Sequence, residues 1–186
     1  TNTETWNGTS WTEVNDLNTA RAQGTGFGVD NTSALAAGGA THPGVQKGET
    51  ESWNGTSWFE INDLNTARRN IGGSGGVSSG LAFGGESATD SLVSITELWN
   101  GSSWSETNDL SSARQNLKGA GPTSSNTSSI GFGGDAPPLL SAATEEWNAD
   151  IAVGAWVTGA TANTARNATG AAGVQTAMIV FGGFSP

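Results

Sequence analysis

The chain lacks cysteine and tyrosine altogether, carries a single histidine, His42, and has only 7 basic residues among 186. Without cysteine it can form no disulfide, no zinc–thiolate site and no thiol nucleophile. With one histidine it favours neither a His-based metal site nor a His-assisted triad. We therefore expect no metal and no cofactor. Charge is also scarce: 13% of residues are ionisable, and the net charge is −10. An acidic surface repels phosphate backbones and anionic lipid, so nucleic acid is not an expected partner. No run of 18 apolar residues exists, so no membrane insertion is expected. Thr1–Trp6 has neither the basic nor the apolar region of a signal peptide.

What the chain has in quantity is Gly, Ser, Thr, Asn and Trp, and these recur in order. Thr3-Glu4-Thr5-Trp6-Asn7-Gly8-Thr9-Ser10-Trp11 returns as Thr50-Glu51-Ser52-Trp53-Asn54-Gly55-Thr56-Ser57-Trp58. It returns again as Thr96-Glu97-Leu98-Trp99-Asn100-Gly101-Ser102-Ser103-Trp104. A looser copy, Thr144-Glu145-Glu146-Trp147-Asn148, reaches its second Trp at Trp156 after the insertion 149–155. Each copy continues alike: Asn15–Arg21 is repeated unchanged at Asn62–Arg68, closely at Asn108–Arg114 and in degraded form at Thr161–Arg166. Each unit then ends on an apolar run and a glycine pair, at Gly38-Gly39, Gly84-Gly85, Gly133-Gly134 and Gly182-Gly183. The first Trp falls at 6, 53, 99 and 147, a step typical of propeller blades.

An apolar strand ending in Gly-Gly, followed by two spaced aromatics, a Leu and an Arg, resembles the kelch repeat. The Thr/Asn/Gly-rich composition resembles kelch-like repeats of phage and environmental microbial surface proteins. The resemblance covers essentially the whole chain, with Trp where kelch usually has Tyr. It implies an all-β fold, a β-propeller of four kelch-like four-stranded blades in one domain, 1–186. The blades would span about 22–61, 69–107, 115–159 and 167–183 plus 1–15. The N-terminal hairpin would join the C-terminal strands and close the ring, removing exposed sheet edges. The copper oxidase branch of kelch-like folds uses Tyr and Cys ligands, which this chain lacks.

The residues themselves suggest how a blade is built. Glu4–Asn7 and Trp11–Val14 are short and bracketed by turn residues, as strands are. Asn-Gly between two Trp supplies positive φ angles for a tight hairpin. The Gly-rich segments 22–29, 69–77, 115–121 and 167–174 suit inner strands crowded around an axis. The eight Trp (Trp6, Trp11, Trp53, Trp58, Trp99, Trp104, Trp147, Trp156) occupy equivalent positions and are expected in the core.

Candidate sites are few. Arg21, Arg68, Arg114 and Arg166, with Arg69 beside them, fall at the entry to each inner strand. They could line one channel mouth and bind an anion. Their recurrence with Asp16, Asp63 and Asp109 suggests structural pairing instead. The segments after each glycine pair vary most, and specificity is usually built in such loops. His42, Lys47, Asp90 and Asp135 lie there. The insertion 149–155 is a further candidate contact. Glu145-Glu146 could serve general acid chemistry, but reads as an exposed strand end. The sequons at Asn7, Asn54 and Asn100 read as turns, while Asn31, Asn126 and Asn167 are open to either reading.

The expectation for function is a non-enzymatic scaffold or recognition module, extracellular or virion-associated, with a protein partner or self-association. A lectin-like carbohydrate binder and a polysaccharide hydrolase or lyase are the alternatives.

Overall fold

The computed structural model describes residues 2–123, 125–149 and 154–185. Among them there is no helix; the fold is all-β and every named strand pair is antiparallel. The chain opens with a hairpin, β1 (Thr3–Trp6) and β2 (Trp11–Val14). A four-stranded sheet follows, in the order β3 (Thr25–Asp30), β4 (Ser33–Thr41), β5 (Val45–Trp53) and β6 (Trp58–Ile61). In the next unit, β7 (Arg68–Arg69) pairs with β10 (Glu86–Ser87). Its main sheet runs β8 (Gly72–Gly76), β9 (Ser79–Phe83), β11 (Thr96–Trp99) and β12 (Trp104–Thr107). The third sheet is β13 (Lys118–Ala120), β14 (Ser128–Phe132), β17 (Thr144–Asn148) and β18 (Ala155–Thr158). Beside it lies a small hairpin, β15 (Asp135–Ala136) and β16 (Leu139–Leu140). The chain ends on β19 (Gly170–Val174) paired with β20 (Ala177–Phe181).

Why these residues make these strands is clearest in the Trp hairpins. Each first Trp stands opposite the second: Trp53 pairs with Trp58 and Trp99 with Trp104. The paired rings lie 5.3 to 5.6 Å apart and tilted. Of the two turn residues, only Gly takes a positive φ (91° at Gly55). Asn54 instead turns its carboxamide inward, and its Oδ1 accepts the backbone N–H of Thr56 and of Ser57, 2.9 Å each. The turn is thus a four-residue loop capped by a side chain, not the two-residue turn that Asn-Gly suggests.

The core sits between neighbouring sheets. Leu35, Ile71, Ala82, Trp99 and Trp104 form one buried cluster, and Leu81, Phe83, Leu117 and Trp147 form the next. Small inner residues let the sheets converge. A Cβ at Gly73 would come within 2.4 Å of the Thr25 hydroxyl on the preceding inner strand. Large outer rings fill the space that opens away from that line, so each unit is narrow inside and wide outside.

Two expectations need correction. Among the described residues, β1 pairs only with β2 and β20 only with β19, so the N-terminal hairpin does not complete the last sheet. For the same reason Trp6 and Trp11 are exposed, while Trp53, Trp99, Trp104 and Trp147 are buried and Trp58 and Trp156 half-buried. The apolar strand β20 shows the same effect. Ile179 is 63% exposed, whereas its equivalent Ile130 is 8% exposed.

Truncating a buried ring removes transfer energy and leaves a cavity. Trp99→Ala should destabilise the chain by about 3–5 kcal/mol. Phe59→Ala, on an exposed outer strand, should cost less than about 1 kcal/mol. Urea unfolding followed by Trp fluorescence would show the difference; equal shifts would remove Trp99 from the core.

Candidate functional site

The segment between each outer strand and the next inner strand makes a sharp crossing, and its side chains hold it. Asp63 Oδ1 accepts the backbone N–H of Thr50, and Asp109 Oδ1 that of Thr96, at 3.2 and 3.1 Å. Leu64 and Leu110 then turn inward and are buried. The following residues wrap a carboxylate that belongs to the next repeat. Glu97 Oε2 accepts from Asn65 N at 2.7 Å and Asn65 Nδ2 at 2.8 Å, and Oε1 accepts from Thr66 N at 3.3 Å and from Arg68 Nη1. One repeat earlier, Glu51 is held in the same way by Asn18, Thr19 and Arg21, with Arg21 Nη1 at 2.5 Å. One repeat later, Glu145 accepts from Ser111 N at 2.8 Å and Arg114 Nη2 at 2.7 Å.

These ion pairs are dry. Arg68, Arg114, Glu51, Glu97 and Glu145 are all essentially inaccessible. Burial pushes the Arg68 and Arg114 guanidinium groups down from their usual value, and the partner Glu pulls each back up. The remaining Arg68 donors go to the carbonyls of Thr66, Ala82 and Gly84. A buried guanidinium is tolerated only when paired and hydrogen-bonded in this way.

The arginine series therefore does not line a channel mouth. Arg21, Arg68 and Arg114 each turn onto the sheet they lead into, and their partner is Glu rather than the neighbouring Asp. The aspartates are used up on backbone N–H groups. Arg69 stands apart: it donates to both oxygens of Glu86, at 3.2 and 2.9 Å, and lies 3.6 Å from Asp90. The Glu86 bond raises its pKa further. Arg166 reaches only the Gly182 carbonyl, at 3.3 Å, and no carboxylate is within ion-pair distance among the described residues.

Around the axis, all four inner strands line one cavity of about 190 Å³, through residues such as Gly26, Gly73, Ala120 and Ala171. Among the described residues that line it, none carries a charge. At one end of it the repeats are tied by a backbone ladder. Asn70 N donates to Gln23 O, Asn116 N to Asn70 O and Ala168 N to Asn116 O. Gln23, Asn70, Asn116 and Ala168 all take positive φ angles to make these bonds.

The variable loops gather at this same end. His42 is exposed beside Pro43. Lys47 pairs with Glu49 at 2.9 Å. Asp90 accepts from Gln46 at 3.0 Å, and Asp135 accepts from Asn116 at 2.6 Å and from Asn167. The last two carboxylates thus stitch one repeat's loop to another's rather than standing free. The loop tips show apolar side chains instead, Val45 at 57% and Leu139 at 74% exposed. Of the insertion 149–155, residues 150–153 lie outside the described residues.

Glu51, Glu97 and Glu145 were not singled out from the sequence as the arginine partners. The signal was there, since Thr-Glu-x-Trp keeps its Glu in every repeat. Nor is Glu145 an exposed strand end: it is buried, and only Glu146 faces outward, near Gln175 at 3.3 Å. Gln46 and Glu86 had no repeat signal to mark them.

No family model matches the chain, and no curated protein matches it. Among solved structures it is similar to that of YjhT, with a TM-score of 0.76 and 13% identity. The match covers 94% of this chain and 62% of that one. At this identity the likeness concerns the fold alone, and the chain spans less than two thirds of the other's length.

Removing a buried carboxylate strands its partner. Glu97→Gln should cost about 3–5 kcal/mol. Lys47→Met, which breaks a partly exposed pair, should cost about 0–1 kcal/mol. Thermal unfolding of both variants would rank them; a Glu97→Gln shift no larger than that of Lys47→Met would show that the clamp contributes little.

Proposed function

We propose that this chain is a non-catalytic recognition scaffold, a β-propeller of kelch-like repeats that makes protein–protein contacts through the loops after its glycine pairs. The observation that carries this reading is a division of labour. Three of the recurring arginines and three of the recurring glutamates are consumed in buried Arg–Glu clamps, and so are committed to holding the array. The segments that differ between repeats meet at one end and expose apolar tips, Val45 and Leu139, among polar neighbours. An apolar tip within a polar rim is how protein-binding surfaces are built. The resemblance to kelch-like repeats of phage and microbial surface proteins, with a cysteine-free chain rich in Thr, Ser, Asn and Gly, supports a place outside the cell or on a virion.

The test is site-specific photo-crosslinking in the native setting, from Leu139, from Val45 and, as a control, from Phe59 on the outer strand β6. The reading expects protein adducts from the two loop positions and none from Phe59. A glycan array should be silent. Reproducible glycan binding, lost in Leu139→Asp at unchanged melting temperature, would instead make the chain a carbohydrate binder. Sugar release from mixed polysaccharides, abolished by a single carboxylate change, would make it a hydrolase or lyase.

A further inference from the structure

Most of the charge at the loop end is balanced within it. Lys47 holds Glu49 at 2.9 Å, and Arg69 holds Glu86 at 2.9 Å and lies 3.6 Å from Asp90. Asp135 is the exception. Among the described residues no lysine, arginine or histidine is within ion-pair distance of it. Its oxygens accept from carboxamides instead, Oδ2 from Asn116 Nδ2 at 2.6 Å and Oδ1 from Asn167 Nδ2. These neutral donors come from two successive repeats. They fix where the carboxylate stands and bring no charge to balance it. A carboxylate has about four acceptor positions, so roughly half of its capacity is left.

What lies beside Asp135 is apolar. In the small hairpin Asp135 pairs with Leu140 and Ala136 with Leu139. Residues directly opposite in an antiparallel pair share a face, so the carboxylate and the Leu140 side chain look the same way. Between Gln115, Asp135 and the tip 137–140 is a cavity of about 420 Å³. Leu139 is 74% exposed, and Pro137 and Pro138 are exposed beside it.

A long cationic side chain meets both features at once. Lysine and arginine lay their methylene stems along apolar surface and carry the charge at the far end. Here the stem would lie on Pro138 and Leu140, and the head would donate to the acceptor positions of Asp135 that the two amides leave. The net charge of −10 favours such a partner already at a distance. A free cation would satisfy the carboxylate but leave Leu139 and the two prolines uncovered, whereas a protein segment covers them with the neighbours of its cation. We propose that this groove receives a lysine or arginine side chain from a basic segment of the partner protein, with an apolar neighbour of that residue resting on Leu139. The groove's role rests on the scaffold reading and names the chemistry of its partner.

Photo-crosslinking from Leu139 in the native setting tests it, with the adduct mapped to the residue on the partner. The adduct should fall within about three residues of a lysine or arginine, the reach of roughly 10 Å of extended chain. Asp135→Asn keeps the shape and removes the charge; it should cut the adduct yield at least about tenfold at unchanged melting temperature. Glu60→Gln removes the same charge from the exposed outer strand β6 and should leave the yield as it is. As a defined probe, random heptapeptides displayed on phage and panned on the whole chain should enrich lysine or arginine next to an apolar residue. Adducts on a segment without a cation, or adducts that survive Asp135→Asn undiminished, overturn the proposal and leave the scaffold reading standing. Adducts from Val45 alone do the same. No adduct from either loop position ends both. An acidic or uncharged peptide consensus, or no enrichment, overturns the proposal as well. The mapped segment and the consensus need no variant, so they decide the matter even where Asp135→Asn fails to fold.

Discussion

A carboxylate buried under the loop of the preceding repeat is the interaction on which the rest depends. Alone, neither partner could be there: an unpaired guanidinium or carboxylate in so dry a place would cost several kcal/mol. Together, with Asn65 supplying two further donors and the carbonyls of Ala82 and Gly84 taking the spare guanidinium protons, they fix two repeats at once. The clamp sets how far Arg68 stands from β11, within the sheet that also holds β8 and β9. A pair of this kind gives little net stability against an apolar substitute of the same shape, but it has one geometry. It therefore specifies where the crossing sits on the sheet it leads into more than it strengthens that sheet.

Because each clamp joins one repeat to the next, the structure is close to one-dimensional in its energetics. The links repeat in direction as well as in chemistry. At three junctions the loop reaches forward to a glutamate, the second Trp reaches back to a threonine, and the first glycine of the pair lies against a carbonyl from the following unit. Gly84 illustrates why this last site excludes a side chain: φ is 64°, and a Cβ would lie 2.7 Å from the Arg114 carbonyl. Inner glycines and outer tryptophans are thus two sides of one wedge, and the wedge is what makes successive sheets fan around an axis.

Much of this was legible in the sequence because repetition converts weak signals into strong ones. The strand positions, the Trp–Trp pairing and the apolar strand before each glycine pair follow from turn chemistry and alternation read four times over. The partner of Arg68 did not follow. Asp63 is nearer in sequence, but the chain folds so that Asp63 caps Thr50 while the guanidinium crosses to another repeat. Contacts between repeats lie about 30 residues apart, and one sequence does not say which of several recurring acids is chosen. The same holds for Trp11, whose repeat position predicts burial. Its exposure depends on whether a neighbour is present, which is a property of the array and not of the local pattern. In the loops there was no repetition to read, so Gln46 and Glu86 were silent.

Separating these two kinds of residue also explains what such a chain can vary. A substitution in the clamp, the glycine pair or the hairpin Trp disturbs every contact that passes through it, because the same geometry must serve both flanking repeats. A substitution at Val45 or Leu139 touches no clamp and leaves the angle between sheets alone. The exposed loop ends are therefore free to acquire shape and chemistry while the recurring residues are held.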